Sequence, residues 1–189
     1  MKHRHLTSTT YGTWLPGDER GFVGTVKDYR PEDEGKKQQR IRVRHNLQQT
    51  DYDRDAAGLC HSAKVLLKCD PIFFNQAQAE ATLAQFQETC NYRHWPLLVA
   101  SIMPNHFHTV VAAPDEVESE DILGDLKAYA SRILNRKWGK PASGTWWTES
   151  GSKRPKNNEA AIRNAVRYAW NQERYLSRYI SEEAKKYLD

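Results

Sequence analysis

Cysteine is scarce in this sequence: Cys60, Cys69 and Cys90 are the only three among 189 residues. Their number is odd and no two form a CxxC pair, which excludes a disulfide framework or a thiolate zinc site as the basis of the fold. Such usage fits a reducing cytoplasm. Long apolar runs are missing too. PLLVASIM is the longest, far short of the ~20 residues a membrane-spanning helix needs, and MKHRHLTSTTYGTW has no apolar centre of a secretory leader. No internal repeat is present, so solenoids and propellers are excluded.

What remains is a single domain, residues 1–189, long enough to bury a core without covalent staples. The formal net charge is +4 and the pI about 8.9. The distribution of that charge says more than its sum. Lys and Arg recur through SRILNRKWGK, GSKRPK and AIRNAVRYAWNQER, interleaved with Trp138, Trp146, Trp147 and Trp170. Single-stranded nucleic acids are bound by that pairing of cations for phosphates and aromatic faces for bases. The competing reading is a solvated helix face over core tryptophans.

HRHLTSTT, residues 3–10, reads as a first strand, followed by the loop YGTWLPGDERG. From about 27 to 60 the chain is almost wholly polar and reads as an insertion. Asp70-Pro71 offers an N-cap and a first-turn proline for a helix reaching Tyr92. WPLLVASIMP and HFHTVVAAP, separated by Pro104-Asn105, read as a hairpin. Ser119 can cap a helix carrying Ile122, Leu126, Tyr129, Ala130 and Ile133 and ending near Gly139. GTWWTES reads as a last strand, and NEAAIRNAVRYAWNQERYLSRY as a final helix. This order matches the split βαβ pattern: an α+β, ferredoxin-like antiparallel sheet with helices on one face, plus a C-terminal helix.

Within MPNHFHTVV, His106 and His108 fall two apart on a strand. They therefore share a face roughly 6–7 Å apart at the backbone, while Phe107 points away. Two imidazoles so placed can converge on one ion. On the last helix, Tyr168 and Gln172 stand at i, i+4 and so on one helical face. The Gln172 carboxamide can complete a facial set with the imidazoles, leaving positions for phosphate oxygens and water, while the Tyr168 phenol attacks phosphorus. Each piece has a plainer reading: a structural HxH pair, and an aromatic packing stripe of Tyr168, Tyr175 and Tyr179.

MPNHFHTVVAAP resembles the histidine-hydrophobic-histidine (HUH) motif of the single-tyrosine transposases, including the REP-associated tyrosine transposases. HLTSTTYGTWLPGD, NYRHWPLL, WWTESGSKRP and EAAIRNAVRYAWNQ resemble a branch of that family in the same order; residues 27–60 and the tail after about 176 do not. The resemblance implies a nucleoid-associated endonuclease and strand transferase that cuts and rejoins single-stranded, hairpin-forming DNA with Mg2+ or Mn2+. By position, His106 and His108 stand as metal ligands, Tyr168 as the nucleophile forming a 5′-phosphotyrosine and Gln172 as the third ligand. Asn171 and Glu173 are neighbouring alternatives to Gln172. Imidazole ligation alone favours zinc or a late transition metal, so the choice of metal follows the resemblance and the phosphate chemistry. In the family the tyrosine helix acts within its own subunit or is exchanged in a homodimer.

Lys153, Arg154, Arg163, Arg167 and Trp14 are the expected DNA contacts, against plain solubility for the cations and a loop anchor for the tryptophan. Rival functions are a domesticated module that binds structured DNA without cutting it and a hydrolase of small phosphate esters.

Overall fold

A computed structural model of the chain describes residues 1–18, 24–28, 41–45 and 57–188. In chain order its elements are β1 (Lys2–Thr9), β2 (Gly24–Asp28), β3 (Ile41–His45), α1 (Ala57–Val65), α2 (Gln76–Tyr92), β4 (Leu97–Ile102), β5 (His106–Ala113), α3 (Ser119–Trp138), β6 (Ser152–Lys156), α4 (Glu159–Trp170), β7 (Ser177–Ile180) and α5 (Glu182–Lys185). The chain divides into two compact units, Met1–Thr13 with Cys69–Asp189, and Trp14–Lys68. The smaller unit contains the antiparallel pair β2–β3 and helix α1. The polar insertion expected over about 27–60 falls largely on positions 29–40 and 46–56, outside the described residues.

The larger unit is built on a five-stranded sheet in the order β6-β1-β5-β4-β7, with every neighbouring pair antiparallel. Without β7, the succession β1–α2–β4–β5–α3–β6 in that spatial order is the α+β ferredoxin-like arrangement. Alternation along β1 and β5 gives each face its own core. On one face Leu6, Phe107 and Val111 meet Leu83 and Phe86 of α2 and Leu126 and Ala130 of α3. Phe107 stands edge-on to both Phe86 and Trp147, at ring-centroid distances of 4.9 and 5.5 Å. On the other face Val99, Val110 and Ala112 meet Ile162, Ala165, Val166 and Ala169 of α4. A register shift in β4 between Leu97 and Val99 turns Leu98 and Val99 together toward α4.

Local chemistry explains most boundaries. The cap of α2 is Asn75 rather than Asp70: its side chain accepts from the Gln78 backbone N–H, and the Gln78 side chain accepts in return from that of Asn75. Asp70 and Pro71 lie in the lead-in. Helix α3 is preceded by Glu118, which makes no side-chain cap bond. Ser119 instead accepts from Nε of Arg4, a buried guanidinium that also donates to the carbonyls of Lys2, Ala113, Pro114 and Val117. Asn158 caps α4, its side chain accepting from the Ala161 backbone N–H at 2.8 Å.

Two segments differ from expectation. GTWWTES is not a strand beyond the single bridge of Trp147 to Thr10; the edge strand is the following Ser152–Lys156. Trp146 and Trp147 are buried, donating to Asn135 Oδ1 at 2.8 Å and to Ser131 Oγ at 3.1 Å. They bolt the loop to α3, and core packing wins over a stacking role. The final helix stops at Trp170 rather than near Tyr179. Residues 177–180 form β7, which satisfies backbone groups that the free edge of β4 would otherwise expose. No helix among the described residues is long and apolar enough to cross a membrane.

Candidate active site

The histidines of β5 point to the face covered by α4. Their ring centroids are 5.1 Å apart with planes nearly perpendicular. Each ring is held through Nδ1. His106 Nδ1 lies 2.7 Å from Asn105 Oδ1, an oxygen that can only accept, so that nitrogen carries the proton and the lone pair sits on Nε2. His108 Nδ1 lies 2.8 Å from Thr7 Oγ1 and 3.2 Å from His5 Nε2. With that Nδ1–H donated to Thr7, His108 also presents its lone pair at Nε2. An oxygen behind each imidazole is the usual outer support of a metal-binding histidine.

Strand register explains these partners. Antiparallel pairing of β1 with β5 sets Thr7 opposite His108, Thr9 opposite His106 and His5 opposite Val110. Residues directly opposite share a face. Through Ser152 on β6, Ser101 on β4 and Arg178 on β7, the level of Thr7 and His108 becomes a polar row across all five strands. Ser101 is fully buried, and its hydroxyl has no hydrogen-bond partner among the described residues. At the end of the row the Arg178 guanidinium carbon lies 3.9 Å from the Trp170 ring centre and 4.0 Å from that of Tyr175.

Helix α4 brings in the phenol. Its apolar positions Ile162, Ala165, Val166 and Ala169 lie on the sheet, which leaves Tyr168 on the rim of that contact, 55% exposed. The Tyr168 ring stands edge-on to His108 at 5.0 Å and to His5 at 5.7 Å between centroids. Three side chains from β1, β5 and α4, distant from one another in sequence, therefore meet at one spot.

Burial governs the charge state there. It pushes the His108 imidazole down to about 2, with His106 and His5 adding repulsion. His5 is lowered to about 4, first by burial and then by Lys156 and Arg154. Both rings are neutral near pH 7, the form in which imidazole binds a cation.

Gln172 stands differently from expectation. Helix α4 ends at Trp170 and Asn171 is its C-cap, so Gln172 lies beyond the helix rather than one turn above Tyr168 on it. Its amide folds back and Nε2 donates to the Tyr168 carbonyl at 2.7 Å, leaving the carboxamide oxygen with its acceptor capacity. Among the described residues no group of three or more His, Cys, Asp or Glu is arranged to hold a metal ion. A set made of two imidazoles and an amide falls outside that count.

The expected DNA contacts scatter. Arg154 lies opposite His5, on the face of the imidazoles, and is exposed. Lys153 lies opposite Leu6 and pairs with Glu120 of α3, so the structure does not bring it to the site. Arg163 is exposed on α4, whereas Arg167 donates from Nε to the Tyr187 carbonyl at 2.8 Å. Trp14 belongs to the smaller unit. Sequence reasoning passed over His5 and Thr7. The signal was there in HRHLT, which has the same two-residue alternation as HFH.

A family profile described as "Transposase IS200 like" matches residues 67–172, more than half of the chain. No curated protein matches the sequence. Among solved structures, the chain is similar to a REP-associated tyrosine transposase bound to a REP hairpin, at 9% identity and a TM-score of 0.47, covering 89% of this chain and 64% of that one. The chain thus spans less than two thirds of that structure's length. It is also similar to a candidate transposase from Deinococcus radiodurans R1, at 14% identity and a TM-score of 0.45, covering 91% and 92%. The profile match runs from the residues before α2 through the paired histidines of β5 to the end of α4, and on its extent the chain belongs to the IS200-like transposase family.

Proposed function

We propose that the protein is a metal-dependent endonuclease and strand transferase that acts on single-stranded, hairpin-forming DNA through a covalent tyrosine link. The observation that carries this reading is the packing of the Tyr168 ring against His108, 5.0 Å between centroids. A phenol half exposed to solvent beside supported imidazoles suits a nucleophile better than a packing residue.

In this reading His106, His108 and the Gln172 amide oxygen hold the cation. The donor set fits: both Nδ1 atoms are occupied by oxygens or a third imidazole, which leaves the Nε2 atoms and the amide oxygen as donors. When bound, Mg2+ or Mn2+ supplies charge that polarises the phosphodiester and stabilises the departing oxygen. Thr7 and Asn105 orient the rings. Tyr168 Oη loses its proton and bonds to phosphorus as the bond to the 3′ oxygen breaks. That oxygen takes up a proton, and a 5′-phosphotyrosine remains. Rejoining reverses the step with an incoming 3′-hydroxyl, so no nucleotide triphosphate is consumed. Tyr168 meets imidazoles of its own chain, which supports cleavage within one subunit and requires no homodimer to complete the site. Arg154, on the same face, and the exposed Arg163 are the cations best situated to meet DNA.

The test is a labelled hairpin oligonucleotide incubated with Mn2+ or Mg2+. A protein–DNA adduct that survives denaturant is expected from the native chain, none after chelation and none from Tyr168→Phe. Undiminished adduct in that variant would remove Tyr168 from its role.

A further inference from the structure

The face that carries His5 continues past it. Toward the start of β1 it runs on to His3, and β6 supplies the residues opposite, Arg154 across from His5 and Lys156 across from His3. His3 lies four residues from Thr7, ~13 Å along an extended strand. Here the surface opens into a cleft of about 550 Å³ between the start of β1, the turn from β6 into α4 and the residues after α5. Lys2, His3, Lys156 and Lys186 line it, with Glu159 as the acidic member of the lining.

Cations outnumber the carboxylate of this lining. Partial burial and the neighbouring Arg154 charge hold the Lys156 ammonium below the usual lysine range. Neither Arg154 nor Lys156 makes an ion pair among the described residues. Such crowding costs stability in the unbound protein, and a polyanion lying along it offsets that cost. The line from His108 through His5 and Arg154 to Lys156 gives that polyanion a direction.

We infer that the cleft lined by His3, Lys156 and Lys186 receives the phosphate backbone of the single DNA strand flanking the cleavage point, a few nucleotides from Tyr168. This rests on the reading of Tyr168 as the nucleophile of single-strand cleavage. The contacts are to phosphates, so they add affinity and hold the strand in register without reading sequence.

The experiment titrates oligo(dT) of increasing length against the full chain by fluorescence anisotropy, without divalent metal, over a range of NaCl concentrations. Each phosphate contact contributes a slope of about 0.7 in log K against log salt for a single strand. The double variant Lys156→Gln/Lys186→Gln is therefore expected to be shallower by about 1.4 and to lose the affinity gained by lengthening the strand. Lys64→Gln/Lys68→Gln removes the same charge at and just after the end of α1 and is expected to keep the native slope. Lys156→Arg/Lys186→Arg is expected to keep it as well. Equal slopes in the native chain and the cleft variant, or an equal loss from both glutamine pairs, would overturn the inference. Binding is read without metal or adduct, so a missing adduct counts against Tyr168 and an unchanged slope counts against the cleft.

Discussion

Replacing Thr7 by valine removes the oxygen 2.8 Å from His108 Nδ1 and leaves a side chain of similar volume on the same face of β1. Loss of an outer partner of a metal-binding histidine costs about 10- to 100-fold in metal affinity or activity. The structure argues for the lower end, because His5 Nε2 lies 3.2 Å from the same nitrogen and can take over the proton. About 10-fold, or ~1.4 kcal/mol, is expected for Thr7→Val. His5→Phe alone leaves the shorter bond in place and costs less. The double variant leaves a buried N–H with no acceptor, a penalty of ~1–3 kcal/mol, so its loss should exceed the product of the single losses. The assay is the Mn2+ concentration that gives half-maximal adduct on a fixed oligonucleotide, with urea midpoints confirming that each variant folds. An unchanged Mn2+ midpoint in Thr7→Val, or a double variant equal to the product of the singles, would refute the idea that these two groups share the orientation of His108.

Gly151→Ala should destabilise the protein by ~1–3 kcal/mol, since its Cβ would lie 2.5 Å from the Thr7 carbonyl and 2.8 Å from Leu123. A urea midpoint checks this, and weaker adduct formation should accompany it. Phe107→Ala removes a fully buried ring between the two histidines and should cost ~3–5 kcal/mol in the same measurement. Lys127 donates to the carbonyls of Thr148, Glu149 and Ser150, and burial lowers its ammonium to about 8 despite Glu120 and Glu149. Between about 8 and 10.5 the folded chain has released a proton that the unfolded chain still holds, so this residue makes stability rise with pH in that window. Between about pH 7 and about pH 10 the native chain should gain stability relative to Lys127→Met, and an equal change in both would remove Lys127 from this role.

Much of the fold was legible because local patterns and tertiary packing agree. The alternation of HRHLTSTT and HFHTVVAA, the Pro104-Asn105 turn and the helical start of NEAAIRNAVRYAW all correspond to elements in place. The period of two likewise set His106 and His108 on one face. What escaped depends on pairing between distant segments. Nothing near Gln172 signals that α4 stops at Trp170, because what ends it is the open edge of β4, some seventy positions earlier, taking Ser177–Ile180 as a strand. His5 and Thr7 gain their meaning only from the register of β1 against β5. The sequence leaves the tryptophans of TWW open between stacking surface and core, because burial against α3 cannot be read from a charged neighbourhood.

The proposed covalent link is tested most directly by which tyrosine receives the DNA. Trypsin separates the candidates, since Tyr168 lies in the peptide 168–174, Tyr175 in 175–178 and Tyr179 in 179–185. Mass spectrometry of the digested, nuclease-trimmed adduct should find the nucleotide phosphate on peptide 168–174 alone. A phosphonucleotide on either of the other two peptides, with 168–174 unmodified, would contradict the account.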